Sequence, residues 1–141
     1  MSARPTEPLV LREHDDYLRQ HRWALLSTTR GGGSPQVSMV AYDFDGNDFV
    51  VSCRRASAKF INAARDPRVV LTIADDRRYL AIAGTAEVVT DGPRLHELTL
   101  RIQASLPPGD AAALQRDIDG GLEQVGRAIL RIVPERVVGR I

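Results

Sequence analysis

The chain is short of most residue types that would announce a chemistry on their own. Cys53 is the single cysteine among 141 residues, so no intrachain disulfide can form and nothing supports a secreted, disulfide-built scaffold. His14, His21 and His96 lie far apart without ligand spacing, and with one cysteine they make no zinc motif, so no metal site is expected. The formal net charge is only +1, which argues against wholesale binding to nucleic acid or a membrane surface and confines any positive site to a local patch. No apolar run reaches the length of a membrane span, and Met1 to Pro8 lacks a signal core, so the expected location is cytoplasmic. No hydrolase triad or glycosidase carboxylate pair stands out. Lysine is almost absent as well. Of 19 basic residues, all but Lys59 are arginine.

What is present reads as an ordinary globular composition, 43% hydrophobic and 26% charged, and one domain over residues 1–141 is expected. Leu9 to Gln20 has the period of an amphipathic helix, with Leu11, Tyr17 and Leu18 as inward positions. Trp23–Thr29, Gln36–Tyr42 and Phe49–Cys53 read as strands, separated by the Gly31–Pro35 turn and by Asp45-Gly46-Asn47. The glycine run lacks the Gly-Lys-Ser/Thr of a phosphate loop and reads as a hairpin turn. A short helix over Ala58–Arg65 follows, capped by Ser57 and ended by Asp66-Pro67. Strands over Val69–Ala74 and Tyr79–Val89 come next, the second with Gly84 as a bulge position and the charged Asp75-Asp76-Arg77-Arg78 between them. Helices are expected from Thr90 to about Ala104 and from Asp110 to Gln124. Arg127–Val133 is a last strand, with Val137–Ile141 extending it beyond Pro134. Six strands on short turns, with flanking helices, predict a mainly β fold in which an antiparallel sheet closes into a barrel.

One cluster carries chemistry. Ser52, Arg54, Arg55, Ser57 and Lys59 run from a strand end into a helix start, where free backbone N–H groups and the helix dipole favour an anion such as phosphate. In a chain so biased toward arginine, the surviving lysine suits a place that wants a compact ammonium rather than a planar fork. A solvated basic turn is the plain alternative.

Three segments resemble a known family. They are Leu25-Leu26-Ser27-Thr28-Thr29-Arg30, then Gly33-Ser34-Pro35-Gln36-Val37-Ser38, then Ala58-Lys59 and Asn62 ahead of Arg65-Asp66-Pro67-Arg68-Val69. Their order and spacing are similar to the split-barrel flavin and deazaflavin oxidoreductases of the pyridoxamine 5'-phosphate oxidase-like superfamily. The branch that uses coenzyme F420 is the nearest likeness. The resemblance covers roughly Leu18 to Val89 and returns in the final strand.

The resemblance implies a six-stranded split β-barrel working as a homodimer, with cofactor sites at the subunit interface. It implies that Lys59 binds the cofactor phosphate, helped by Ser52 and Ser57. Relatives commonly carry Arg where this chain has Ser57, which leaves Arg54 or Arg55 to supply that charge. Gln36 and Ser38 match positions beside the ring, Asn62 belongs to the same motif, and Arg77, Arg78 and Tyr79 match a stretch that meets the cofactor across the interface. The implied activity is hydride transfer between F420 and an unidentified organic small molecule, with no proton donor assigned. FMN, in an oxidase-like or flavin reductase enzyme, is the alternative cofactor, and a non-catalytic F420- or FMN-binding protein is the second alternative. A heme-handling barrel has no histidine within these motifs to support it.

Overall fold

The structure is a computed structural model that describes residues 11–141. Of the first expected helix, Leu9 and Val10 lie outside the described residues. The rest forms a 3-10 turn over Arg12–His14 and a short helix α1, Asp15–Gln20, whose Tyr17 and Leu18 are buried as the sequence period predicts.

The sheet is antiparallel throughout. Its strands are β1 (Trp23–Thr29), β2 (Pro35–Ala41), β3 (Asp43–Phe44), β4 (Phe49–Arg54), β5 (Arg68–Asp75), β6 (Arg78–Val89) and β7 (Arg127–Arg140), arranged β2-β1-β5-β6-β7-β4-β3. The two edge strands of that order are neighbours in the chain, separated by Tyr42 alone. One bent strand therefore pairs with β1 through its first part and with β4 through its last, and this joins the two ends of the sheet. Counting β2 and β3 as that single strand recovers the six expected, and the architecture is the split barrel. Tyr42 is buried at the bend and donates its hydroxyl to the Leu18 carbonyl at 2.6 Å, which ties α1 to the closure.

Alternation then sorts the side chains. Ala24, Leu26 and Thr28 of β1, Val69, Leu71 and Ile73 of β5, and Leu80 and Ile82 of β6 point into the barrel with Phe49, Val51, Cys53 and Leu130. β4 and the first half of β7 are buried on both faces. Val50 and Ile129 turn outward into a second cluster with Leu95 and Ile102 of α3 (Gly92–Gln103) and Leu114 of α4 (Pro108–Asp119). Asp48 pins α3 there, accepting from Arg101 at 2.9 Å and from Arg131 of β7 at 2.6 Å. Among the described residues no helix is long and apolar enough to cross a membrane.

Three expectations need correction. The fourth helix starts at Pro108, where a first-turn proline has no amide to lose, and ends at Asp119, with Gly120 as its C-cap, rather than running to Gln124. The short β3 was not anticipated. The last strand runs unbroken through Pro134, because β4 pairs with β7 only as far as Ile132 and leaves Pro134 opposite Gly84 at a bulge. Gly84 is required at that crossing: a Cβ there would lie 2.4 Å from the Val133 carbonyl oxygen.

Gly84→Ala is therefore expected to lower stability by about 1–3 kcal/mol, the usual cost of overpacking, and thermal unfolding checks it. Burial pushes the Cys53 thiol up to about 11, against the opposing pull of Lys59 and Arg127. Since the folded value lies above the unfolded one, near 8.5, this contribution to stability is whole below that pH and is lost as pH rises toward 11. Alkylation at pH 8 is expected to be slow in the native protein and fast in denaturant.

Candidate functional site

Helix α2, Ala58–Arg65, seats Phe60 and Ala63 against the barrel cluster and buries Asn62. Ser57 caps it, accepting from the Phe60 amide at 3.4 Å and donating to the Arg54 carbonyl at 2.6 Å. The Ile61 amide already bonds the Ser57 carbonyl. The amides of Ala58 and Lys59 remain without an intrahelical partner, as first-turn amides do. Lys59 makes no hydrogen bond or ion pair among the described residues. Two free N–H groups and an unpaired ammonium at a helix start form a donor-only set, and such a set fits a phosphate.

Behind α2 runs a polar chain. Arg65 donates to the Asn62 side-chain oxygen at 2.9 Å and to the Thr29 carbonyl at 2.7 Å. Asn62 donates to Thr28 at 3.2 Å, and Thr28 to Gln36 at 3.0 Å. Gln36 donates to Ser38 at 2.7 Å and to the Val37 carbonyl at 3.2 Å. The chain exists because β1 and β2 pair Thr28 with Gln36 in register, while Asn62 sits one helical turn before Arg65. Gln36, Ser38 and Asn62 are thus brought together. Thr28, 2% exposed, and Arg65 join them, although sequence reasoning gave neither a site role. The hints in the sequence were their places inside the family-like segments and the i, i+3 spacing of Asn62 and Arg65.

The remaining expected residues fall elsewhere. Arg54 bonds Asp117 at 3.2 Å and the Val125 carbonyl at 3.0 Å, and Arg55 bonds the Glu123 carbonyl at 3.3 Å. Both guanidinium groups are tied to the segment between α4 and β7. Ser52 shares the outward face of β4 with Val50, and its hydroxyl is buried without a partner. Arg77, Arg78 and Tyr79 sit at the β5–β6 turn, where Tyr79 pairs with Ala74. The Thr28–Gln36 rung lies beside Val69, at the other end of β5. The two groups are separated by on the order of 17 Å along the strand. At that far end Asp75 bonds Arg78 and, at 3.3 Å, His21; these partners hold its carboxyl below the usual range, the Arg78 bond first. A cleft of about 240 Å³ also lies near α1, walled in part by Arg19, Arg22, Tyr42 and Phe44, and none of the expected site residues lines it.

Known proteins share this frame. Over 87 residues the chain is 32% identical to the F420H(2)-dependent biliverdin reductase of Mycobacterium tuberculosis, a match covering 60% of this chain and 64% of that protein. A solved F420 reductase superposes with a TM-score of 0.62 at 23% identity, covering 88% of this chain and 94% of its own. The heme storage protein HutZ of Vibrio cholerae does so with a TM-score of 0.68 at 19% identity, covering 94% and 96%. At those identities the two structures speak to the fold alone. Residues 10–139 match the model of the pyridoxamine 5'-phosphate oxidase family, and the chain belongs to that family.

Proposed function

We propose that this protein is an oxidoreductase that binds coenzyme F420 and uses it to reduce or oxidise an organic small molecule. The observation that carries the reading is Lys59, unpaired beside the two free amides at the start of α2. The 32% identity to an F420H(2)-dependent reductase favours F420 over FMN, which remains the alternative because both cofactors present a phosphate and a tricyclic ring. The bound cofactor would supply the hydride chemistry.

This chain's own residues would bind and orient. Lys59 and the Ala58 and Lys59 amides would hold the phosphate, with Ser57 keeping the helix start open to it. Gln36 and Ser38 would meet the ring edge. Arg54 and Arg55 would act indirectly, by fixing the strand-to-helix junction against Asp117, Val125 and Glu123. Ser52, with its unpartnered buried hydroxyl, would support that junction from the outward face of β4. For a heme reading, no histidine lies on α2 or on the strands. His14 and His21 flank α1, with His21 engaged through both ring nitrogens, and His96 lies on the exposed side of α3.

The site would be completed by a second copy. Trp23, Leu25, Val37 and Met39 leave an apolar patch on the outer face of β1 and β2, exposed by 48, 40, 53 and 64%. Among the described residues no helix covers it. An isologous dimer through this face would place the Arg77–Tyr79 turn of one copy against the α2 end of the other, a juxtaposition that a single chain cannot make.

Titrating the apoprotein with F420 and with FMN, followed by ring fluorescence, tests the cofactor. F420 is expected to bind more tightly, and tight FMN binding without F420 binding would contradict the choice. Lys59→Ala is expected to weaken binding by about 1.5–3 kcal/mol, the value of a charge-assisted hydrogen bond, with an unchanged melting temperature. Met39→Asp is expected to shift the protein from dimer to monomer in light scattering and to reduce cofactor affinity with it.

A further inference from the structure

The polar chain behind α2 has one donor sense that satisfies all its members, and the residues at its two ends agree on it. Arg65 can only donate. Its contact to Asn62 at 2.9 Å therefore requires the amide oxygen to face it, which leaves the Asn62 nitrogen for Thr28. Having accepted, Thr28 has one proton, and that proton goes to the Gln36 oxygen at 3.0 Å. Gln36 must then present its nitrogen to Ser38 at 2.7 Å. At the far end the Val37 carbonyl can only accept, and it lies 3.2 Å from that same Gln36 nitrogen. Turning either amide over would set donor against donor at Arg65, or acceptor against acceptor at Val37.

The consequence falls on Ser38. Its oxygen receives a hydrogen bond from Gln36, so its own proton stays free. The residue is half-buried on β2, an edge strand of the sheet order. We propose that Arg65, acting through Asn62, Thr28 and Gln36, is a positioning residue that keeps the Ser38 proton available to donate a hydrogen bond to an acceptor atom of the bound ring, a carbonyl oxygen or an unprotonated ring nitrogen. Thr28 is the switch point, because it is 2% exposed and has no water to replace a lost partner. The identity of the ligand rests on the cofactor reading above, whereas the sense of the chain does not.

Three variants separate the possibilities. Thr28→Val removes the hydroxyl at nearly the same volume. Thr28→Ser keeps it. Asn62→Asp offers acceptors to both neighbours, which forces Thr28 to donate backward; the Gln36 amide then regains a bond to Thr28 by turning over at the expense of its Val37 contact, so that Ser38 spends its proton on Gln36. Thr28→Val and Asn62→Asp are each expected to weaken F420 or FMN binding about tenfold, the scale of one lost hydrogen bond, and to shift the absorption band of the bound ring. Thr28→Ser is expected to restore both readouts. In the apoprotein, the Gln36 side-chain amide signals in NMR are expected to move in Thr28→Val and Asn62→Asp but not in Thr28→Ser.

Unchanged affinity and spectrum in a folded Thr28→Val protein would overturn the proposal. So would weakened binding that Thr28→Ser fails to rescue, since that marks a packing role. If the wild-type protein binds neither cofactor, the cofactor reading fails by itself. The apoprotein amide signals still decide the relay: Gln36 signals indifferent to all three substitutions would refute it.

Discussion

The seating of α2 against the barrel is the contact on which fold and site both depend. Phe60 and Ala63 supply the apolar part and Asn62 the polar part, with Thr28 and Arg65 completing its bonds. A buried amide left without partners costs about 1–3 kcal/mol, so the helix cannot slide or rotate without giving up the Asn62 contacts. The first turn inherits that constraint. Lys59 and its neighbouring amides are aimed by a helix whose far end is held through Arg65 to the Thr29 carbonyl. An anion site on a free surface helix would have no such register.

Barrel closure imposes the second constraint. A single strand bent at Tyr42 joins the sheet ends, and the helices α3 and α4 cover the outer side of the barrel at β4, β7 and the Val89 end of β6. The outer faces of β1 and β2 carry Trp23, Leu25, Val37 and Met39, with no helix among the described residues over them. In the proposed function this uncovered side and the long reach of β5 have one common resolution. A second copy would bury the apolar patch and bring the Arg77–Tyr79 turn toward the helix start that its own chain holds at the opposite end.

Much of this was legible in the sequence wherever local pattern and burial agree. The alternation of Ala24, Leu26 and Thr28, the capping of α2 by Ser57, and the bulge at Gly84 all follow from short-range rules. Elements governed by distant partners were not. Pro134 looks like a strand terminator until β4 is seen to stop pairing at Ile132, and β3 is invisible because nothing in the chain marks a boundary at Tyr42. The same holds for the site. Arg54 and Arg55 read as phosphate ligands beside Lys59, but their partners Asp117, Val125 and Glu123 lie more than sixty residues away. Thr28 and Arg65 read as strand filler and a helix-end cation, and only the β1–β2 register together with the seating of α2 joins them into one chain. The family resemblance named Gln36, Ser38 and Asn62, yet it could not say that one continuous set of hydrogen bonds runs through them.

The most direct test of the central claim is a crystal structure of the protein grown with F420. The account predicts the phosphate at the start of α2, within hydrogen-bond distance of the Lys59 ammonium and the Ala58 and Lys59 amides, with the ring against Ser38 and the Arg77–Tyr79 turn of a second copy. A phosphate held away from α2, or a ring enclosed by one chain alone, would contradict it.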